Sequence, residues 1–369
     1  MRTSMAILRE GQRIRDTYVV ERFLGEGAFA EVYRIEHRFL GRQAMKVLKA
    51  EGMTTDEIEG LLGEAVLLSR IGHPNIVRVF DANVLDVRGT HFGYFTMEYV
   101  AGGSLGDYWR SYQDRFMPVK EAVGILKQTC AGLSAAHAEN PPIVHRDIKP
   151  QNILIGYDGA GLRVRLSDFG LAKRVNPLTL LASSRGTLSF KPPESLEDAD
   201  SCAADVWALG TTLYLLLTDT LPHPHLSTRD VSSAERFLRP LRPAALYNIT
   251  VDAALDGIIS RCLARDPGER YPNAQSLLAD LQSWSPSDPA HDSNHQSDTT
   301  KSAKHALGTP SPVDKVAAAA AVREALNKAR EPGQLMSAAD ILEEALNKDP
   351  DLRERYEPQV KLWRRGVCM

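Results

Sequence analysis

The alternation of apolar and polar positions predicts a β-rich start followed by helices. Across residues 17–48, segments such as "TYVVERFL" and "EVYRIEH" favour strands, because β-branched and aromatic residues alternate with polar ones. Thr54 or Thr55 then predicts the N-cap of a helix whose apolar face comprises Ile58, Leu61, Leu62, Ala65 and Leu68. Residues 206–218, "VWALGTTLYLLLT", are uncharged but too few to span a bilayer, which predicts a buried helix.

The pattern changes after Trp284. Residues 285–312 consist largely of Ser, Pro, Asp and His, and such a segment buries too little to offset its ordering entropy, so we expect a disordered linker. Helix-forming residues return in residues 313–369, where "EALNK" occurs at 324–328 and again at 344–348. Two interpretations stay open: a degenerate helical-hairpin repeat of the tetratricopeptide kind, or two similar amphipathic helices in a small bundle.

Composition narrows the class of protein. The net charge of −3 over 369 residues argues neither for nucleic acid nor for an anionic membrane surface, and we expect neither as a partner. The N-terminal segment has no apolar run that would form a signal-peptide core. The cysteines lack C-x-x-C spacing, which favours reduced thiols over disulfides or zinc: Cys130, Cys202, Cys262 and Cys368. We therefore expect a cytoplasmic protein.

The stretch "LGEGAFAEVY" at residues 24–33 approaches the phosphate-binding pattern G-x-G-x-x-G. Ala30 stands at the third glycine position, and strand-forming residues follow instead of a helix. A dinucleotide-binding loop would open a helix there. A glycine loop between two antiparallel strands is instead a flap that can lie over a triphosphate.

Two further motifs stand in register with that loop. "IVHRDIKPQNIL" at residues 143–154 contains H-R-D-x-x-x-x-N, and "LSDFGLAK" follows with Asp168, Phe169 and Gly170. With these motifs the chain resembles the eukaryotic-type (Hanks-type) serine/threonine protein kinases, as found in bacteria. The resemblance implies an α+β, bilobal fold: a small antiparallel β-sheet lobe with helix C, a larger mostly helical lobe, and here a small α-helical C-terminal region.

The resemblance also assigns catalytic roles. Asp147 would accept the proton of the substrate hydroxyl, Lys149 would touch the γ-phosphate of ATP, and Asn152 and Asp168 would hold Mg²⁺, with Mn²⁺ as a substitute. A lysine at position 149 is typical of Ser/Thr rather than tyrosine kinases. Lys46 would bind the α- and β-phosphates, and Glu64 would hold Lys46 in an ion pair.

The remaining nucleotide contacts are implied in the same way. Met97 would be the gatekeeper, and the main chain from Glu98 to Val100 would bond to the adenine base. The other residues implied to contact ATP are Leu24, Gly25, Gly27, Val32, Ala44 and Leu154. Each apolar member of this set would serve equally well as plain core.

A further set is implied to support or regulate the site. Arg146 marks the subclass in which a phosphate on the activation segment pairs with this arginine. Ser183 is the foremost candidate for that phosphate, with Ser184 and Thr179 as alternatives, or all are ordinary loop hydroxyls. The resemblance also implies three structural contacts. Thr187 would contact the catalytic aspartate, Glu194 would form an ion pair with Arg270, and Asp205 would hold the catalytic loop in place.

The resulting organisation is a lead-in at residues 1–16, a kinase domain at 17–284 (small lobe to about residue 100), the linker at 285–312 and the helical region at 313–369. Two other classes of protein share this core, pseudokinase scaffolds and small-molecule kinases. A pseudokinase scaffold usually lacks the lysine, the base or the metal aspartate, and all are present here. Small-molecule kinases usually lack the Glu194–Arg270 anchor. The protein substrate stays unidentified, and the C-terminal helices are expected to dock a partner or to self-associate.

Overall fold

The computed structural model describes most of the chain up to residue 286 and parts of the remainder. The described residues are 6–27, 30–49, 58, 60, 62–63, 71–112, 116–159, 161–169, 188–197, 201–223, 234–286, 318, 320–325, 328, 334–349, 352, 356, 360 and 363–364. The chain divides into two compact units, the first comprising Met1–Ser111 and Met117–Pro286. The second comprises Tyr112–Phe116 and Ser287–Met369.

The first unit begins with a six-stranded antiparallel sheet in the order β1-β2-β3-β4-β6-β5. Its strands are β1 (Arg13–Ile14), β2 (Tyr18–Glu26), β3 (Ala30–His37), β4 (Gly41–Leu48), β5 (Val79–Val87) and β6 (Thr90–Glu98). Tyr33 and Met45 belong to one apolar core, whereas Val32 and Ala44, each one residue away, belong to another. Alternate residues of β3 and β4 thus face different cores, as the two-residue period of a strand requires. The sheet is the predicted small lobe.

Residues that precede the predicted start of the domain also belong to this sheet. β1 pairs with the beginning of β2, and Leu8 is 2% exposed within the apolar core that contains Tyr33. The main-chain N–H of Ile7 donates to a carboxylate oxygen of Glu31 at 2.8 Å, and that of Leu8 donates to the Tyr33 hydroxyl at 3.0 Å. The N-terminal segment is thereby attached to the strand that follows the glycine-rich loop.

The larger lobe of the first unit is mainly helical. Its helices are α1 (Leu105–Arg110), α2 (Val119–His137), α3 (Cys202–Thr218), α4 (Ala253–Cys262) and α5 (Ala274–Ser283), and it contains the hairpin β7 (Ile153–Asp158) and β8 (Gly161–Leu166). Side-chain oxygens of Ser201, Asp252 and Asn273 cap the N-termini of α3, α4 and α5. Most residues of α3 are buried, as the uncharged stretch predicts. A small sheet beside a helical lobe confirms the predicted α+β bilobal architecture.

The second unit has an apolar core of its own. α6 (Leu335–Lys348) contributes most of that core, and segments on either side of α6 complete it. The buried members are Val322, Ala325, Ala338, Ala339, Leu342, Ala345, Leu346, Val360 and Trp363. These helical segments therefore pack on one another, as both sequence interpretations require. Within the described ranges, no helix is both long enough and apolar enough to cross a lipid bilayer.

Candidate active site

Asp147 is held by two neighbouring side chains of its own loop. Nζ of Lys149 lies 2.8 Å from Oδ2 of Asp147, and Nδ2 of Asn152 donates to the same oxygen at 2.8 Å. Asn152 also donates to the main-chain oxygen of Asp147 at 2.8 Å, which closes the loop. The Asp147 side chain keeps 19% of its surface exposed. A carboxylate that is fixed in place yet accessible can accept a proton from an incoming hydroxyl.

Asp205, near the start of α3, fixes the main chain of this loop. Its Oδ2 accepts the N–H of His145 at 2.7 Å, and its Oδ1 accepts the N–H of Arg146 at 2.9 Å. Nε2 of His137 lies 3.0 Å from Oδ2. Arg146 has φ of 69°, a left-handed conformation that is uncommon outside glycine. Asp205 thus holds the residue before Asp147 in a strained conformation, which is the bracing role implied by the sequence.

His145 links the catalytic loop to the D-F-G motif. Its Nε2 lies 2.9 Å from the carbonyl oxygen of Ser167, and its ring centroid lies 4.4 Å from that of Phe169. Burial lowers the pKa of His145, so its imidazole is neutral at physiological pH. The hydrogen bond to Ser167 is therefore one between uncharged groups. The motif's Gly170 lies outside the described residues.

Lys46 and Asp168 form an ion pair across the cleft. Lys46 lies on β4, in register with Val32 on β3 and Phe95 on β6, and its Nζ is 2.5 Å from Oδ1 of Asp168. Burial acts to raise the pKa of the Asp168 carboxyl, but the charge and hydrogen bond of Lys46 outweigh it, so that this pKa is lowered. Asp168 is therefore ionised. Glu64, the implied partner of Lys46, lies outside the described residues.

Asn152 and Asp168 fit the role of magnesium ligands. The main-chain N–H and the hydroxyl of Ser167 donate to the carbonyl oxygen of Asn152 at 2.8 and 3.0 Å, which holds Asp168 beside Asn152. Carboxylate and amide oxygens are ligands that Mg²⁺ prefers, and it commonly combines one or two of them with phosphate oxygens. Among the described residues, no three His, Cys, Asp or Glu side chains form a metal-binding group by themselves.

All but one of the apolar residues implied to contact adenine lie in one cluster. Ala44 and Met97 are buried core members, and Val32, Val100 and Leu154 pack against them half-buried. Strand register explains the grouping, since Ala44 pairs with Met97. Leu24 lies outside this cluster and is 38% exposed. The cluster provides a partly open apolar surface between the sheet and the larger lobe, as a planar base requires.

The glycine-rich loop and the hinge, which is our name for residues 98–100 between the two lobes, lie at the ends of strands. Gly25 pairs with Val32, and the N–H of Gly27 donates to the carbonyl oxygen of Ala30 at 2.8 Å, which closes the turn. β6 ends at Glu98, so the main chain up to Val100 leaves the sheet ladder where hydrogen bonds to a base are expected. The Glu98 carboxylate lies 3.2 Å from Nε of Arg165 on β8, which ties the hinge to the larger lobe.

The end of the activation segment is anchored by the implied ion pair. NH1 and NH2 of Arg270 lie 2.5 and 2.8 Å from the two carboxylate oxygens of Glu194. The Arg270 side chain is fully buried, and its guanidinium lies 4.8 Å from the ring centroid of Trp207. The candidates Thr179, Ser183, Ser184 and Thr187 lie outside the described residues, so their roles stay predictions.

Two basic residues join this site that no motif indicates. Nζ of Lys191 donates to the carbonyl oxygen of Arg146, and Arg236 donates to the carbonyl oxygens of Leu188 and Lys191. Both bond to main-chain carbonyls far away in sequence, and such carbonyls carry no residue-specific signal. The apolar pair Phe237 and Leu238 directly after Arg236 is the one local hint.

Comparison with known proteins agrees with this geometry. The protein kinase domain family model matches residues 18–281. The chain is 34% identical over 278 residues to the serine/threonine-protein kinase PrkC of Bacillus subtilis (strain 168), covering 74% of this chain and 41% of that protein. It is 35% identical over 268 residues to the serine/threonine-protein kinase Pkn1 of Myxococcus xanthus, covering 71% of this chain and 37% of that protein.

Solved structures agree as well. The crystal structure of the Mycobacterium tuberculosis PknI kinase domain superposes with a TM-score of 0.57 at 27% identity, covering 75% of this chain and 99% of that one. The chain spans less than half the length of the two curated relatives named above.

Proposed function

The chain belongs to the protein kinase family, and we propose that it transfers the γ-phosphate of ATP to serine and threonine hydroxyls of proteins. The observation that carries the proposal is the geometry of Asp147. Its carboxylate is bonded to Lys149 and Asn152, and its loop is fixed by Asp205. The relatives named above are serine/threonine-protein kinases, and Lys149 agrees with that preference.

The residues divide the work of the reaction. Asp147 orients the substrate hydroxyl and accepts its proton. Lys149, which is hydrogen-bonded to Asp147, contacts the phosphoryl group during its transfer. Lys46 binds the α- and β-phosphates, and Asn152 and Asp168 hold Mg²⁺ or Mn²⁺. When bound, the metal ion neutralises charge on the phosphate oxygens. The residues thus supply positioning and fixed charge, which is most of what phosphoryl transfer needs.

We also propose how the activity is organised along the chain. The kinase acts in the cytoplasm and phosphorylates its own activation segment at Ser183, Ser184 or Thr179, where Arg146 can pair with the phosphate. The second compact unit recruits a partner or a second copy. Deleting residues 285–369 should leave transfer to a generic peptide intact but weaken phosphorylation of the native target. Equal losses on both would place the unit within the catalytic fold.

Phosphate transfer from labelled ATP with magnesium tests the proposal. Asp147→Asn should lower transfer by about 10²- to 10⁴-fold, since it removes the proton acceptor with little change in shape. Asp158→Asn, at an exposed carboxylate on β7 paired with Arg163, is the matched control and should stay near wild type. No transfer by the wild-type chain, with ATP still bound, would instead support a pseudokinase scaffold.

A further inference from the structure

Arg236 is a buried arginine outside every kinase motif. It lies in the short 3-10 helix Ala234–Leu238 and is 3% exposed. Its NH2 donates to the carbonyl oxygen of Leu188 at 2.7 Å and to that of Lys191 at 3.3 Å. Its guanidinium lies 4.3 Å from the ring centroid of Phe237. Burying a charged group is costly unless it is hydrogen-bonded. The buried guanidinium therefore points to a specific role for its hydrogen bonds to Leu188 and Lys191.

The two carbonyls belong to a segment that is anchored again at its other end. Residues 188–194 end at Glu194, which pairs with Arg270. The ring of Trp207 lies against the Arg270 guanidinium and 5.6 Å from the ring of Phe237, the residue that Arg236 covers. His223 stacks on Trp207 at 5.7 Å. Trp207 on α3 therefore contacts Arg270 directly and is linked to Arg236 through Phe237.

This segment forms part of a cavity beside the catalytic aspartate. Phe190, Lys191 and Pro192 line the cavity together with Arg146 and Asp147. Lys191 also bonds to the carbonyl oxygen of Arg146. Arg146 precedes Asp147 directly, so a shift of the segment would be passed through Lys191 to the loop that receives the substrate hydroxyl, and the alignment of that hydroxyl would change. A misplacement of about 1 Å at such a point can cost about 100-fold in rate.

We propose that Arg236 is a positioning residue for the protein substrate: by holding the carbonyls of Leu188 and Lys191, it sets the wall of the cavity beside Asp147. The inference rests on the proposed kinase function. It predicts that Arg236 affects the polypeptide substrate and not ATP, whose implied contacts lie in the small lobe and at Leu154, Asn152 and Asp168. A lysine would keep the charge but lose the planar group that covers Phe237 and reaches two carbonyls.

Steady-state kinetics of the full chain separate these effects. For Arg236→Gln, kcat/KM for a Ser/Thr peptide should fall by at least about tenfold, while KM for ATP and peptide-independent ATP hydrolysis stay within about twofold of wild type. Arg236→Lys should be intermediate, because it restores the charge without the geometry. Arg239→Gln is the matched control, since Arg239 is an exposed arginine of the same region, and it should match wild type.

Amide hydrogen exchange of the same variants supplies a readout that needs no activity. In Arg236→Gln, residues 188–195 should exchange faster while α4 and α5 keep their protection, and Arg239→Gln should change neither. Normal transfer by the wild type with unchanged peptide kinetics and exchange in Arg236→Gln would overturn this inference alone. Parallel losses for ATP and peptide, or faster exchange throughout the lobe, would also overturn it in favour of a general structural role. No transfer by the wild type would overturn the kinase proposal itself.

Discussion

The catalytic loop and the adenine surface are held by different kinds of contact. Asp205 bonds to His145, Arg146 and His137 through specific polar atoms, although it lies 59 to 68 residues from them in sequence. On the adenine side, Ala44 and Met97 meet because neighbouring strands are in register, and their contacts are apolar. A buried hydrogen bond depends on one partner and its geometry, whereas apolar packing depends mainly on volume. The catalytic loop should therefore be sensitive to isosteric polar changes that the sheet would tolerate.

Asp205→Asn should have the largest effect on stability and activity. Both carboxylate oxygens of Asp205 accept main-chain N–H groups, and in asparagine one of these oxygens becomes an NH2 group that cannot accept. We expect a loss of about 2–4 kcal/mol in the free energy of unfolding and a fall in kcat of at least about 100-fold as Asp147 is misplaced. Urea unfolding and phosphate transfer measure both. Asp256, which accepts the N–H groups of Ala244 and Ala245 away from the cleft, is the matched control. Asp256→Asn should lose stability and keep kcat; if it also loses activity, the bracing role is not specific to Asp205.

Acid should weaken the larger lobe before the sheet, because neutral histidines are buried there. Burial, with a smaller contribution from Arg236, lowers the pKa of His223 to about 4, and the pKa of His145 is lowered as well. Between pH 6.5 and 4 the unfolded chain binds protons that the folded chain does not, so stability falls as the pH falls. For His223 alone, the loss approaches about 3 kcal/mol.

Unfolding midpoints measured across that pH range check the prediction. His223→Gln should flatten part of the slope, and His91→Gln, at a histidine whose side chain is 60% exposed, is the control substitution. Identical slopes in the wild type and His223→Gln would contradict the assignment.

Leu8→Ala tests the sheet without touching the catalytic loop. Leu8 is 2% exposed in the core beneath β3, so the loss should be about 2–4 kcal/mol from lost burial and the remaining cavity. The value of kcat should change little, in contrast to Asp205→Asn. Thermal unfolding and saturating-ATP assays provide the two numbers. The exposed Leu246 (61% exposed) is the control, and a stability loss in Leu246→Ala of equal size would argue against burial as the cause.

Val32→Ala should have the smallest effect on activity. It tests most directly whether the adenine surface depends on apolar volume, in contrast to the polar contacts of the catalytic loop. Val32 is half-buried in the adenine cluster, and removing two methylene-sized groups from the surface facing the base should weaken ATP binding by about 1 kcal/mol, a several-fold rise in KM for ATP. The value of kcat should stay near wild type, because no polar contact changes. Val19→Ala, at a 37% exposed position of β2, is the control. A fall in kcat without a rise in KM would show that this side chain acts on the chemistry and not on the base.

The motif H-R-D-x-x-x-x-N was sufficient, through the family resemblance, to predict the catalytic loop. Asp147, Lys149 and Asn152 lie within six consecutive residues, and their mutual bonds follow from one tight loop. The strand-forming residues of "EVYRIEH" were likewise enough to predict a strand, and the structure then places Val32 and Tyr33 in different cores. Short-range geometry decides both, because a strand or a tight loop fixes the relative positions of its own side chains.

Long-range polar contacts were predictable only where a motif carries them. The Glu194–Arg270 pair could be predicted from the family resemblance, while the bonds from Arg236 to Leu188 and Lys191 could not, since main-chain acceptors look alike in any sequence. The attachment of Ile7 and Leu8 to Glu31 and Tyr33 was missed for the same reason.

The sequence by itself therefore determined the chemical groups, their order and the elements that bear them. Tertiary structure alone decided which distant main chain each buried charge would hold, and so where residues 188–194 and the N-terminal segment lie. The physical reason is that side-chain identity and periodicity are local properties. The partner of a buried hydrogen bond is chosen only when packing brings two distant segments together and excludes water from both.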